Sequence, residues 1–253
     1  MPSPLGHTFL ARLRSAFTLV ELLVVMSIIL ILLAVAGPVV RGIMSGRSVS
    51  NGLDAINGYL AYARTQAVTQ NTYVIVGFYQ SNSSGSDKDD LQMASVISAN
   101  GTFTPSNFNP ASVIGPASNF PALGKTLHIS NVTLVPYVSL SDRLKAKVPA
   151  PDGVTTVECS ASPSYSSNGS YFSFKVGNKS FPYCVVAFSP QGEALFFPQG
   201  AGGPANFSSN LPFYSQLFIG LRMTRGGAVV TNDVNSAAIT LDGGSGDIKA
   251  YRL

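Results

Sequence analysis

Tryptophan is absent from the 253-residue chain, and it carries only two histidines and two cysteines. A zinc site with several Cys/His ligands cannot be built from that stock, and histidine-based catalysis has almost no material. Charge is scarce as well, at 11% of residues against about 25% in an ordinary soluble domain. The balance of 16 Lys+Arg against 12 Asp+Glu gives +4, so the pI near 9.1 reflects few charges. That composition excludes highly charged disorder and nucleic-acid binding through a dense basic surface. No G-x-S-x-G, G-x-x-x-x-G-K-[ST] or H-E-x-x-H occurs, and no G-x-G-x-x-G joins a strand to a helix. Neither an enzyme nor a bound cofactor or metal is expected.

What the chain does have is one long apolar run. From Phe17 to Val40 its only charge is Glu21, and as a helix at about 1.5 Å per residue this stretch reaches roughly 36 Å, enough for a hydrocarbon core of about 30 Å. Residues 1–16 before it carry Arg12 and Arg14 and no acid. Three readings compete: a buried core helix, a secretory signal peptide cut after Ala34-Val-Ala36, and a retained anchor. Glu21 weighs against the second, because a carboxylate in an apolar run is costly and a signal peptide has no use for it. Arg41 and Arg47 follow the run, so the Lys/Arg rule gives no orientation.

Ala16-Phe17-Thr18-Leu19-Val20-Glu21, followed by this apolar helix, resembles the processing site of type IV pilins and type II secretion pseudopilins. The resemblance implies that prepilin peptidase removes a basic leader, 1–16, between Ala16 and Phe17, and that Phe17 is N-methylated. It implies that 17–40 stays as a transmembrane and filament-core helix, that Glu21 meets the amine of a neighbouring subunit, and that Pro38 bends the helix. Ala16 departs from the Gly usual in the family. The implied protein is a minor pilin or pseudopilin subunit. It sits in the inner membrane through a single pass before assembly, with its head in the periplasm or outside the cell. Its partners are the peptidase, membrane lipid and other subunits, with no nucleic acid. An amine and a carboxylate left alone in hydrocarbon are each unfavourable, so pairing between copies would favour assembly in a fixed register.

Past Pro38, over 41–71, apolar residues Val49, Leu53, Ile56, Leu60, Ala63 and Ala67 recur at helical spacing. Four glycines interrupt this stretch, so the helix should depend on packing against a sheet. Residues Asn57 to Val74, around Ala63-Arg-Thr-Gln-Ala67, resemble the helix-to-strand junction of H-type minor pseudopilins. From 72 to 253 the sequence predicts a β-rich head: Thr72–Tyr79, Met93–Ala99, Thr126–Val135, Tyr171–Val176, Tyr183–Phe188, Ala194–Phe197, Gln216–Thr224, Ala237–Leu241 and Ile248–Leu253 read as strands. Ser189-Pro-Gln-Gly192 and Asp242-Gly-Gly-Ser-Gly246 read as tight turns. The fold class is α+β, a long amino-terminal helix on an antiparallel sheet head with long loops. Its final strand is similar to H-type heads and to the cassette protein D group of Verrucomicrobia.

Cys159 and Cys184 lie in the part placed outside the cytoplasm, where a disulfide between them is permitted, with two separate buried thiols as the alternative. Asp87-Lys-Asp-Asp90 lacks the spacing of a calcium loop and reads as solvated. His128 reads as a strand residue. Two other functional readings stay open: a soluble secreted protein beginning at Gly37, and a singly anchored envelope hydrolase whose nucleophile and base are not evident.

Overall fold

The computed structural model describes residues 18–80, 90–103, 113–114, 120–152, 156–159, 174–177, 179–181, 183–197, 215–225, 228–230 and 235–253. The side chains of 35–46, 113–114, 174–175, 180, 183–184, 197 and 225 lie outside the description. Two compact units divide the chain, Met1–Ile43 and Met44–Leu253.

Helix α1, Leu19–Thr69, contributes to both units. In the first unit every described side chain from Thr18 to Ala34 is exposed, including Leu19 at 79% and Leu30 at 67%. In the second unit Val49, Leu53, Ile56, Leu60, Ala63 and Ala67 are buried, so the stripe at spacing 4, 3, 4, 3, 4 is the core face of the helix. The helix ends in a Schellman motif. Asn71 adopts φ 50°, its N–H bonds to the Val68 carbonyl, and the Thr72 N–H reaches back to the Ala67 carbonyl. Gly52 permits the helix to lie close on its neighbours: a Cβ there would stand 3.0 Å from Ile129 Cγ2.

The described strands are β1 (Val74–Gln80), β2 (Asp90–Ile97), β3 (Val113–Ile114), β4 (Leu127–Ser130), β5 (Val132–Val135), β6 (Thr156–Cys159) and β7 (Phe174–Val176). They continue with β8 (Lys179–Phe181), β9 (Tyr183–Phe188), β10 (Ala194–Phe197), β11 (Gln216–Arg225), β12 (Ala228–Val229), β13 (Ser236–Asp242) and β14 (Ile248–Arg252). Between β5 and β6 lie a 3-10 turn, Tyr137–Ser139, and a one-turn helix α2, Asp142–Lys145.

One sheet has the order β10-β9-β1-β2-β4 and is antiparallel throughout. The second is centred on β11, which pairs β12 and β13, with β14 beyond β13. Against β11 also lie β5, antiparallel, and β6, parallel. A small third sheet has the order β3-β7-β8, with β3 and β7 parallel. The antiparallel head expected from sequence is found, with two parallel pairs added where β3 and β6 reach their neighbours through long connections. Both fall outside the strands predicted from sequence.

The apolar stripe of α1 packs with residues of both large sheets: Val74, Val76 and Phe78 of β1, and Leu217, Ile219 and Leu221 of β11. The opposite face of the first sheet holds a second cluster with Ile75, Val96, Val185, Ala187 and Phe181. A third covers Phe218 and Ala238 with Leu140 and Leu144 of the α2 region. Buried on both faces, β1 needs apolar residues at consecutive positions, hence its Val-Ile-Val start. Gln80, at the end of β1, stitches the sheets together: its Oε1 accepts the Leu134 N–H at 3.1 Å and its Nε2 donates to the Val132 carbonyl at 3.3 Å.

Candidate functional site

The start of α1 is held by Thr18 and Glu21. The Glu21 N–H donates to Thr18 Oγ1 at 3.2 Å, while Glu21 Oε2 accepts from the Thr18 N–H and from its hydroxyl, each at 3.0 Å. This is a reciprocal capping box, which satisfies donors that the first helical turn would otherwise leave open. Sequence reasoning gave Glu21 a role between subunits and gave Thr18 none. The T-x-x-E spacing before an apolar run was the signal for this second role. Glu21 is exposed, and its Oε1 carries no hydrogen bond among the described residues. Ala16 and Phe17, the two residues of the expected cut, lie outside the described residues.

Pro38 falls within the bounds of α1, and its side chain is outside the description. Among the described residues no helix is long and apolar enough to cross a membrane. The described side chains of the run end at Ala34, and Leu19 to Ala34 amount to about 24 Å of helix.

A second polar cluster fixes the other end of α1. Arg64 donates through Nε to the Gly192 carbonyl at 3.0 Å and through NH2 to the Ser245 carbonyl at 2.6 Å, and its NH1 lies 3.6 Å from Asp247 Oδ1. One guanidinium thereby holds both turns singled out in the sequence, Ser189–Gly192 and Asp242–Gly246. Those turns are built tightly: Gly246 has φ 69°, and a Cβ on it would overlap the Gly192 carbonyl oxygen. The Asp242 carboxylate accepts from the Ser245 N–H and hydroxyl at 2.8 and 2.9 Å, which holds it below the usual carboxylate range. Arg64 sits inside the Ala63-Arg-Thr-Gln-Ala67 sequence. Its alanines face the core while it reaches outward, which spacing alone does not reveal.

At the far end of β14, Arg252 NH1 donates to Ser50 Oγ at 3.2 Å. The strand and the turn before it are therefore clipped to α1, the strand at Ser50 and the turn at Arg64. An open groove of about 430 Å³ between these elements is lined by Asn57, Ala61, Thr65 and Ile248, among others. Between Ser50 and Arg64 on the same helix, Tyr59 shares a 2.9 Å hydrogen bond with Ser95 Oγ, which also donates to the Leu123 carbonyl at 2.9 Å. Burial pushes the Tyr59 phenol up, partly opposed by the Ser95 bond.

Cys159 ends β6, is fully buried, and is disulfide-bonded. Cys184, the other cysteine of the chain, lies in β9, with its side chain outside the description. Residues 87–89 of the acidic run are also outside it, while Asp90 opens β2. Among the described residues no three His, Cys, Asp or Glu side chains are grouped to hold a metal. His128 lies exposed in β4, opposite Gln92.

Comparison with known proteins finds a short motif at the amino-terminal end. Residues 11–37 match the family model described as the prokaryotic N-terminal methylation motif. The match covers the expected cut, the Thr18–Glu21 box and the apolar run up to Gly37. No curated protein matches, and no solved structure matches.

Proposed function

We propose that the chain is a structural subunit, a minor pilin or pseudopilin, of a type IV pilus-like or type II secretion filament. The methylation motif over residues 11–37, with Glu21 inside it at the start of a helix, carries this reading. Prepilin peptidase cuts between Ala16 and Phe17, Phe17 is N-methylated, and 17–40 anchors the chain in the inner membrane until assembly. Pro38 bends the helix between anchor and head. Glu21 serves twice: Oε2 caps its own helix, and Oε1 accepts from the terminal amine of a neighbouring copy. An amine buried beside it would lose its hydration, so a charge partner at that depth sets both the attraction and the register. The chain is a substrate of the peptidase and performs no catalysis itself.

The finer placement is the H-type minor class, supported by the sequence around Ala63-Arg-Thr-Gln-Ala67 and by the strand that follows it. A Cys159–Cys184 bridge would join β6 of one large sheet to β9 of the other, in a compartment where disulfides persist. The head then presents its loops to other subunits or to secreted proteins.

Mass spectrometry of the amino-terminal peptide from cells carrying prepilin peptidase tests the reading. The expected peptide begins at N-methylated Phe17 and is absent from a peptidase-deficient strain. A peptide beginning at Gly37 would show secretion after Ala36 and overturn the proposal.

A further inference from the structure

The end of the head that the chain enters first gathers positive charge. Arg47 is exposed on α1, and one turn later Ser50 receives Arg252. The Arg252 carbonyl lies 3.5 Å from Lys147 Nζ, which brings the residues after α2 to the same end. A contact of 3.3 Å between Ser141 Oγ and Ser236 Oγ fixes α2 there, beside Ala237, the register partner of Arg252. Arg143, Lys147 and Arg252 are exposed and Lys145 is half-buried. Among the described residues the acids facing this end are Asp142, paired with Lys145 at 3.6 Å, and Asp54, one turn beyond Ser50. Glu158 is half-buried and accepts the Tyr137 N–H at 3.1 Å. Arg47, Arg143, Lys145, Lys147 and Arg252 thus stand against two exposed acidic side chains, in a chain whose whole net charge is +4.

We propose that this basic end docks on an anionic phospholipid surface, so that before assembly the head rests on the bilayer. The inference builds on the anchored-helix reading above. Arg47 follows Val40 by seven residues, a separation of about 10 Å as helix and at most about 25 Å fully extended. An anchor at 17–40 therefore holds these cations at high local concentration beside lipid headgroups, whatever path the intervening residues take. Each Lys or Arg near an anionic surface strengthens attraction about fivefold, and the effect fades within about 8 Å at physiological salt. A surface tethered that near favours lipid over an acidic protein arriving from solution.

Hydrogen exchange on the full chain, reconstituted into vesicles of phosphatidylcholine alone or with phosphatidylglycerol, tests the inference. We expect amides of 141–148 and 248–252 to exchange at least fivefold more slowly in the phosphatidylglycerol vesicles, and the difference to vanish in about 0.5 M salt. Arg143→Gln/Lys147→Gln should abolish the slowing, whereas Lys125→Gln should keep it. Equal exchange in both vesicles overturns the inference and leaves the patch to an acidic protein. A carbonate wash reads the anchor separately. A chain lost from both vesicles refutes the anchored helix, whereas a chain retained with equal exchange refutes docking alone.

Discussion

Thr18 and Glu21 hold each other at the first turn of α1 through three hydrogen bonds of 3.0 to 3.2 Å. The carboxylate proposed for contacts between copies is therefore also a local capping group. Capping needs an acceptor at this position, and Gln supplies one. Pairing with an amine needs the charge. Glu21→Gln should keep full-length protein at wild-type level in the membrane fraction yet yield at least tenfold less sheared filament. Thr18→Ala should weaken the cap and leave filament yield within twofold of wild type. Equal filament yield from Glu21→Gln would remove the charge from the assembly argument.

Ala16 precedes the proposed cut, at the position where the family it resembles usually has Gly. Ala16→Gly should raise the mature fraction seen by immunoblot, and Ala16→Leu should leave the precursor uncut. Processing of Ala16→Leu at the wild-type rate would place the cut elsewhere.

Gly246 and Gly58 should respond to alanine in opposite directions. At Gly246 the left-handed φ and the adjacent Gly192 carbonyl leave no room for a Cβ, so Gly246→Ala should cost about 2–4 kcal/mol. Nothing lies within 4 Å of a Cβ at Gly58, on the exposed side of α1, so Gly58→Ala should add about 0.8–1 kcal/mol. Thermal or urea unfolding followed by circular dichroism measures both. A neutral Gly246→Ala would show that the two turns separate without loss.

A bridge between Cys159 and Cys184 predicts no reactive thiol in the denatured, unreduced protein, and two after reduction. Closing that loop should contribute about 3–4 kcal/mol, so Cys184→Ala should lower the urea midpoint. Two reactive thiols without reductant would dismiss the bridge.

Tyr59 gives the head an alkaline limit. Its folded pKa is raised by burial, so the folded state holds the phenol proton more tightly than the unfolded state. The stability this contributes is complete below the unfolded value near 10 and drains away as pH rises toward the folded one. Tyr59→Phe should cost about 1 kcal/mol at neutral pH, through loss of the Ser95 hydrogen bond, and flatten the decline above pH 10. Asp242 acts in the opposite direction. Its lowered pKa adds stability above the ordinary carboxylate value near 4, lost as pH falls through the folded value, and Asp242→Asn should remove that acid dependence.

The buried face of α1 could be read from spacing alone, because period-3.6 burial writes itself directly into sequence. Most strands could too, since alternating or continuous apolar runs carry a local signal, and the two turns show Gly where φ is positive. What escaped were elements made by distant partners. β6, Thr-Val-Glu-Cys, is too short to announce itself and exists because β11 offers it an edge. The stretch Thr126 to Val135 reads as one strand, yet Asn131 at φ 62° breaks it into β4 and β5, which join different sheets. At the amino terminus the carboxylate was legible by its isolation, but its cap depended on seeing Thr18 as its partner. The reach of Arg64 to Gly192 and Ser245 spans sequence separations of 128 and 181, where no local pattern exists.

The clipping of β14 against α1 also dictates an order of events during biosynthesis. Residues of α1 emerge from the ribosome long before Arg252, the group that fastens to Ser50. Contacts of this range close slowly, because chain entropy must be spent before they form. The helix face that β11 and β13 cover stays open until those strands have been translated, so completion of the head waits for them. A newly made chain must therefore be kept from sticking to its neighbours through that face until β11 and β13 arrive.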